Sequence, residues 1–209
     1  LAPEGMNVLL LALHMGLNGK NVVLGASPLA GHLEEQIADK RFSIRDDPLI
    51  DYGLGSGGFD GEGVSHQVTP LVVDGVVKNF LYDLDTAGRA GTRSTGNGAG
   101  CSPTNLVMGP GNTTYQEMIR SVDEGLLVYD VLGLGQGNPM SGEFSVNVHL
   151  GYKIEKGEVV GRVKDVMLAG NTYDALKNIT AIGDKGEWVG GSMIVPPVQI
   201  GQLSVVARS

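Results

Sequence analysis

The sequence predicts an α+β fold, built predominantly from antiparallel β hairpins and sheets with about four short helices. Three observations lead there. Glycine supplies 33 of 209 residues, about 16% against a usual share of roughly 7%, and it falls between apolar runs without a Gly-X-Y period, as tight turns and bulges require. Asp74-Gly75 and Lys156-Gly157 each separate two arms rich in β-branched residues, and an Asp-Gly pair in that setting is the strongest short-range hairpin signal. Phe144, Val146, Val148 and Leu150 alternate with Ser145, Asn147 and His149, the period of two that marks a half-buried antiparallel strand.

Taken in order, residues 3–17 read as a helix. Pro3 suits its first turn, Met6, Leu9, Leu10, Leu13 and Leu17 recur at three- and four-residue spacing, and Asn18-Gly19 stops it. A loop over 21–25 and a short helix over 33–38 are expected next. Residues 42–45 alternate as a strand that ends at the turn Asp46-Asp47-Pro48. The first hairpin has arms 67–73 and 76–82. Residues 84–90 make a helical turn or two, and 105–108 a short strand. Thr113 and Gln116 have the spacing of a capping box for a helix whose apolar face is Tyr115, Met118, Ile119 and Val122. A strand over 126–132 and a loop over 133–142 precede the second hairpin, with arms 143–154 and 158–164. A strand over 166–169 follows, then a helix capped by Asn171 with Tyr173, Leu176 and Ile179 inward, and last an edge strand over 203–207. Pro196-Pro197 is expected to keep the middle of this tail out of any central strand. No linker-like composition break divides the chain, so residues 1–209 count as one domain.

Composition narrows the function classes. The formal charge of −8 argues against nucleic acid and anionic membrane surfaces as direct partners. A single cysteine, Cys101, allows no internal disulfide and favours a reducing, cytoplasmic setting. The longest apolar run, residues 8–13, is far shorter than the ~20 residues of a membrane span. The chain opens at Leu1 inside an expected helix, without the basic start of a signal peptide, which suggests a fragment of a longer protein with an N-terminal part missing.

The glycine-rich stretch over 53–63 carries the first candidate chemistry. Residues 53–58 match G-x-G-x-x-G, yet the Phe59-Asp60-Gly61-Glu62-Gly63 that follows cannot open the helix a dinucleotide site needs. Asp60 and Glu62 lie two apart and face one way on an extended chain. Such a pair can do acid–base work or hold a hard cation, whereas in a glycine turn it more commonly accepts backbone N–H groups. The histidines are His14, His32, His66 and His149, none within five residues of another, so no H-E-x-x-H pattern exists. Cys101 reads as an unreactive loop thiol, because a nucleophile needs a base beside it. Asn112-Thr113-Thr114 and Asn178-Ile179-Thr180 match the glycosylation pattern but read better as helix capping and a helix end.

The run FDGEGVSHQVTPLVVDGVVKNFLYDLDTAGRAGTRSTGNG over 59–98, with SPLAGHLEEQ over 27–36, DDP over 46–48, AGNTYDALKNITAIG over 169–183 and the terminal 198–205, resembles the TldD/PmbA family. The family pattern is F-D-x-E-G, a T-x-L-[IV]-x-D-G hairpin, Y-D-x-x-x-A and S-T-G-N, and the match maps the chain onto the family's C-terminal domain. The resemblance implies a two-subunit metallopeptidase assembly acting on unfolded or extended peptides, in a family also described as modulating DNA gyrase and serving peptide-antibiotic maturation. It further implies zinc held, in the TldD-like branch, by an H-E-x-x-x-H helix expected near 27–37 and a cysteine expected near 190–196. Neither motif is present here, which points to the PmbA/TldE-like branch: no catalytic residue and no metal ligand in this chain, and zinc only in a TldD-like partner. Relatives carry basic residues after S-T-G-N where this chain has Gly98-Ala99-Gly100. Phe59, Asp60, Glu62, Gly63, Ser94, Thr95, Gly96 and Asn97 are then candidate cleft or structural loop residues. The alternatives are a homodimeric module that binds extended peptides without cleaving them, and a hydrolase using Asp60 and Glu62.

Overall fold

Helix α1 (Asn7–Leu17) organises the core, because its sequence is apolar nearly all round. Val8, Leu9, Leu10, Ala12, Leu13 and Leu17 are all buried, as expected of a helix without a polar face. The computed structural model describes residues 1–98 and 100–207. A 3₁₀ turn (Glu4–Met6) leads into α1. Asn18 ends α1 and at once caps α2 (Gly19–Val23), its side-chain oxygen accepting from the Lys20 and Asn21 N–H groups. Where a loop was expected over 21–25, the chain thus starts another helix.

No helix forms over 33–38. Glu34 takes a left-handed φ of 65°, and the Glu34 and Ile37 N–H groups donate to Val77 and Gly75 carbonyls. This stretch spends its donors on the neighbouring hairpin instead of on itself. Strand β1 (Ile44–Asp46) pairs antiparallel with β2 (Thr69–Val73), which turns into β3 (Val76–Val77). Asp74 and Gly75 both have positive φ, 49° and 79°, the conformation of the tight hairpin turn their sequence predicts. The second arm is shorter than expected. Helix α3 (Leu84–Ala90) is capped by Asp83 and closed by Gly91 in the left-handed region, and β4 (Leu106–Met108) pairs with β1.

Helix α4 (Tyr115–Arg120) has a capping box, formed by Thr114 and Glu117, one residue later than the expected Thr113 and Gln116. Strand β5 (Glu124–Leu132) pairs with the long β6 (Glu143–Glu155), whose far edge carries β7 (Glu158–Arg162) and then β8 (Val166–Asn171). Helix α5 (Thr172–Lys177), capped by Asn171 as expected, leads to β9 (Ile179–Ile182), β10 (Glu187–Val189), β11 (Met193–Val195), β12 (Val198–Ile200) and β13 (Ser204–Ala207).

Three sheets result. One has six strands in the order β10-β11-β4-β1-β2-β3, one has two, β12-β9, and one runs β13-β8-β6-β5 with β7 beside β6. All pairings are antiparallel except β11 with β4. The fold is α+β as expected, with five α-helices among the described residues. The tail departs further from expectation. Pro196-Pro197 do lie outside the strands, but the residues just before them form β11, an interior strand of the six-stranded sheet. Buried residues of the six-stranded sheet (Ile44, Leu71, Val72), of the five-stranded one (Val128, Val146, Leu168) and of α1 share one apolar cluster. Among the described residues, no helix is long and apolar enough to cross a membrane.

Candidate functional site

The two glycine-bearing loops flanking the first hairpin meet in space. Asp60 joins them. Its Oδ1 accepts from the Glu62 and Val64 N–H groups, each at 2.9 Å, and its Oδ2 accepts from the Gly98 N–H at 2.8 Å. Glu62 Oε2 accepts from the Leu84 N–H at 2.8 Å, at the first turn of α3. Both carboxylates are therefore engaged by backbone donors. Gly63, with φ 78°, closes the turn, and Phe59 stands outward, 71% exposed.

The second loop is held as tightly. Ser94 Oγ donates to the Tyr82 carbonyl, and Thr95 Oγ1 accepts from the Tyr82 N–H at 2.8 Å and donates to Asn97 Oδ1 at 2.7 Å. Gly96 has a φ of +75°, and a Cβ there would come within 2.7 Å of the Ser65 carbonyl oxygen. Only glycine permits that backbone-to-backbone approach.

Below both loops lies a residue that the sequence marked only as part of a turn. Asp46, 1% exposed, accepts from Asn97 Nδ2 at 2.7 Å, from the Thr104 N–H and Oγ1 at 2.7 and 2.8 Å, and from the Asn105 N–H at 3.1 Å. Burial pushes its carboxyl above the usual range, and these hydrogen bonds pull it back only in part. A signal was available: Phe42, Ile44 and Asp46 share one phase of the alternation and all are buried, so the strand carries a charge on its inward face.

Asp60 titrates the other way. Desolvation raises its carboxyl, but the N–H groups of Val64, Gly98 and Glu62 outweigh that and hold it below the usual value. A carboxyl depressed in the folded state stabilises above its unfolded pKa, and that contribution is lost as pH falls through the folded one. Asp60→Asn is expected to flatten the acid limb of the stability curve below about pH 5, measured as urea midpoints across pH. An acid limb unchanged by the substitution would remove the inference.

Cys101 is fully buried, its Sγ 3.2 Å from Thr86 Oγ1 and accepting from the Asp83 N–H at 3.4 Å. Burial pushes the thiol up, so it stays protonated and weakly nucleophilic. The four histidines lie apart. His14 sits on α1 among Leu10, Leu13, Leu17 and Leu71, and burial lowers its pKa, with Asp46 pulling it up. His32 pairs with Glu35 in an exposed turn, His66 follows the Asp60 turn, and His149 on β6 pairs with Asp130 on β5.

The metal helix expected over 27–37 is a series of turns. Around His14, the positions three, four and five residues away are Leu11 and Leu17, Leu10 and Asn18, and Leu9 and Gly19, so neither H-E-x-x-H nor H-E-x-x-x-H spacing supplies a second ligand. Among the described residues no group of three or more His, Cys, Asp or Glu could hold a metal ion.

A family model described as the PmbA/TldA metallopeptidase C-terminal domain matches residues 1–207. A protein of Archaeoglobus fulgidus named Metalloprotease is 33% identical over 200 residues, 90% of this chain and 46% of that protein. The crystal structure of a candidate modulator of a DNA gyrase from Thermotoga maritima is 35% identical, with a TM-score of 0.92, over 98% of this chain and 48% of that one. TldE from Thermococcus kodakarensis is 28% identical, with a TM-score of 0.91, over 99% of this chain and 49% of its own. The chain spans about half the length of the curated relatives it matches. It is a member of the PmbA/TldD family and corresponds to that family's C-terminal domain.

Proposed function

We propose that this chain belongs to a TldE-like subunit without a metal of its own, which completes a TldD–TldE-type zinc peptidase acting on unfolded or extended peptides. The observation that carries the reading is the dispersal of His14, His32, His66 and His149 over α1, a turn, a loop and β6. The likeness to TldE of Thermococcus kodakarensis supports the same branch. In this reading the zinc and the reacting groups sit in a TldD-like partner, in the cytoplasm. The bridged loops, with Phe59, Asp60, Glu62, Gly63, Ser94, Thr95, Gly96 and Asn97, wall the cleft, and association stabilises the active assembly by mass action.

The test is zinc content and peptidase turnover of the purified chain, alone and after co-expression with a TldD-like protein. The expected result is substoichiometric zinc and no turnover alone, with co-purification and turnover in the pair. Stoichiometric zinc with turnover from the chain alone overturns the proposal, as does a stable self-dimer that captures no TldD-like chain.

A further inference from the structure

Strand β7 is a sheet edge whose five residues, Glu158-Val159-Val160-Gly161-Arg162, are all exposed, and it pairs with β6 on one side only. Val159 and Val160 are 45% and 52% exposed. An apolar edge with open backbone groups invites another strand.

The residue order indicates which strand. Read antiparallel against itself about Val160, this segment sets Glu158 opposite Arg162, Val159 opposite Gly161, and Val160 opposite Val160. The two-fold axis creates two Glu158–Arg162 pairs, and Val159 faces Gly161, while Val160 faces its own copy at the axis. Space is available, since a Cβ on Gly161 would meet nothing within 4 Å.

The subunit leaves both charges unsettled. Among the described residues neither Glu158 nor Arg162 forms an ion pair; Arg162 donates only to the His149 carbonyl. Glu158 instead stands across from Glu155 on β6, a like-charge cross-strand pair, which is destabilising. An arginine arriving from outside relieves it. The β6–β7 register skips Val160, so the residue at the centre of the self-pairing has no partner of its own on β6.

We propose that β7 is a self-association edge, on which a second copy of this chain adds its own β7 antiparallel about a two-fold axis at Val160. A two-fold contact requires one patch to be complementary to itself, and this pentapeptide is. The inference rests on the edge's own residues and is independent of the subunit reading above.

Light scattering on a concentration series tests it. The wild-type chain is expected to dimerise reversibly. Glu158→Arg, which sets arginine against arginine in both symmetric pairs, is expected to weaken association about ten- to a hundredfold. Adding Arg162→Glu to that variant reverses both charges and is expected to restore dimerisation. Circular dichroism on each variant checks that these exposed substitutions leave the fold intact. A wild-type chain that stays monomeric at every concentration overturns the proposal, and the skipped register at Val160 is then an edge-protecting bulge. A dimer that withstands Glu158→Arg overturns it too, because another surface must then hold the copies together.

Discussion

Replacing Asp46 with alanine is expected to cost about 3–5 kcal/mol of folding stability. The carboxylate is the common acceptor for Asn97 Nδ2, the Thr104 N–H and hydroxyl, and the Asn105 N–H. Removing it strands the Asn97 and Asn105 donors in a buried site and those of Thr104 in a part-buried one, and a buried unmet donor costs about 1–3 kcal/mol. The losses do not add fully, because the loop over 94–105 can relax once its anchor is gone. Asp46→Asn keeps one accepting oxygen but turns an NH₂ group towards other donors, so a smaller loss of about 1–3 kcal/mol is expected. Urea-unfolding midpoints measure both. An alanine variant within about 1 kcal/mol of wild type would show that the loops hold without this anchor.

The pH signature of Asp46 has the opposite sign to that of Asp60. A carboxyl raised by burial binds more protons folded than unfolded, so its contribution to stability falls as pH climbs from the unfolded value, 3.8, through the raised one. Asp46→Asn removes that dependence and Asp60→Asn removes the reverse one. Comparing the two variants over the same pH range separates the effects.

Gly75→Ala is the second large effect, at about 2–4 kcal/mol. Two costs coincide there. Gly75 has a φ of +79°, and a Cβ would stand 2.3 Å from the Ala38 carbonyl oxygen and 2.8 Å from that of Asp39. Gly75 also donates to the Phe42 carbonyl and accepts from Ile37, so the turn cannot shift without breaking its ties to the preceding segment. Gly61→Ala is the control. It has open space and no positive φ, and a change within about 0.5 kcal/mol is expected. Equal losses from the two would refute the close-approach argument.

Both hairpin turns were legible because Asp74-Gly75 and Lys156-Gly157 encode their own backbone conformation within two residues. Strand β6 was legible because its alternation is local. The missed features depend on distant partners. The stretch over 33–38 has helical spacing, but its donors are claimed by Gly75 and Val77 some forty residues on. The α4 cap lay one residue from its expected place because Thr113 and Thr114 both suit the role, and Glu117 chose between them by bonding the Thr114 hydroxyl. Strands β10 and β11 are three residues each, too short for periodicity, and β11 is held between β10 and the distant β4.

At the candidate site, the glycine turn indicated that Asp60 and Glu62 would accept backbone donors. It gave no hint that one donor would be Gly98, thirty-eight residues away. Asp46 was hidden in plain sight as an acidic residue on a buried phase.

The parallel pairing of β11 with β4 has a consequence for the chain as it is made. Residues 106–108 leave the ribosome long before residues 193–195, and at about 5–20 residues per second the interval is roughly 4–17 s. During it the outer side of β4 is an unfilled slot, although β5, β6, β7 and β8 of the neighbouring sheet can pair before β11 is made. The nascent chain therefore carries a waiting edge that only its own last quarter can close. Aggregation during synthesis, and dependence on chaperones that shield such edges, should concentrate in that interval.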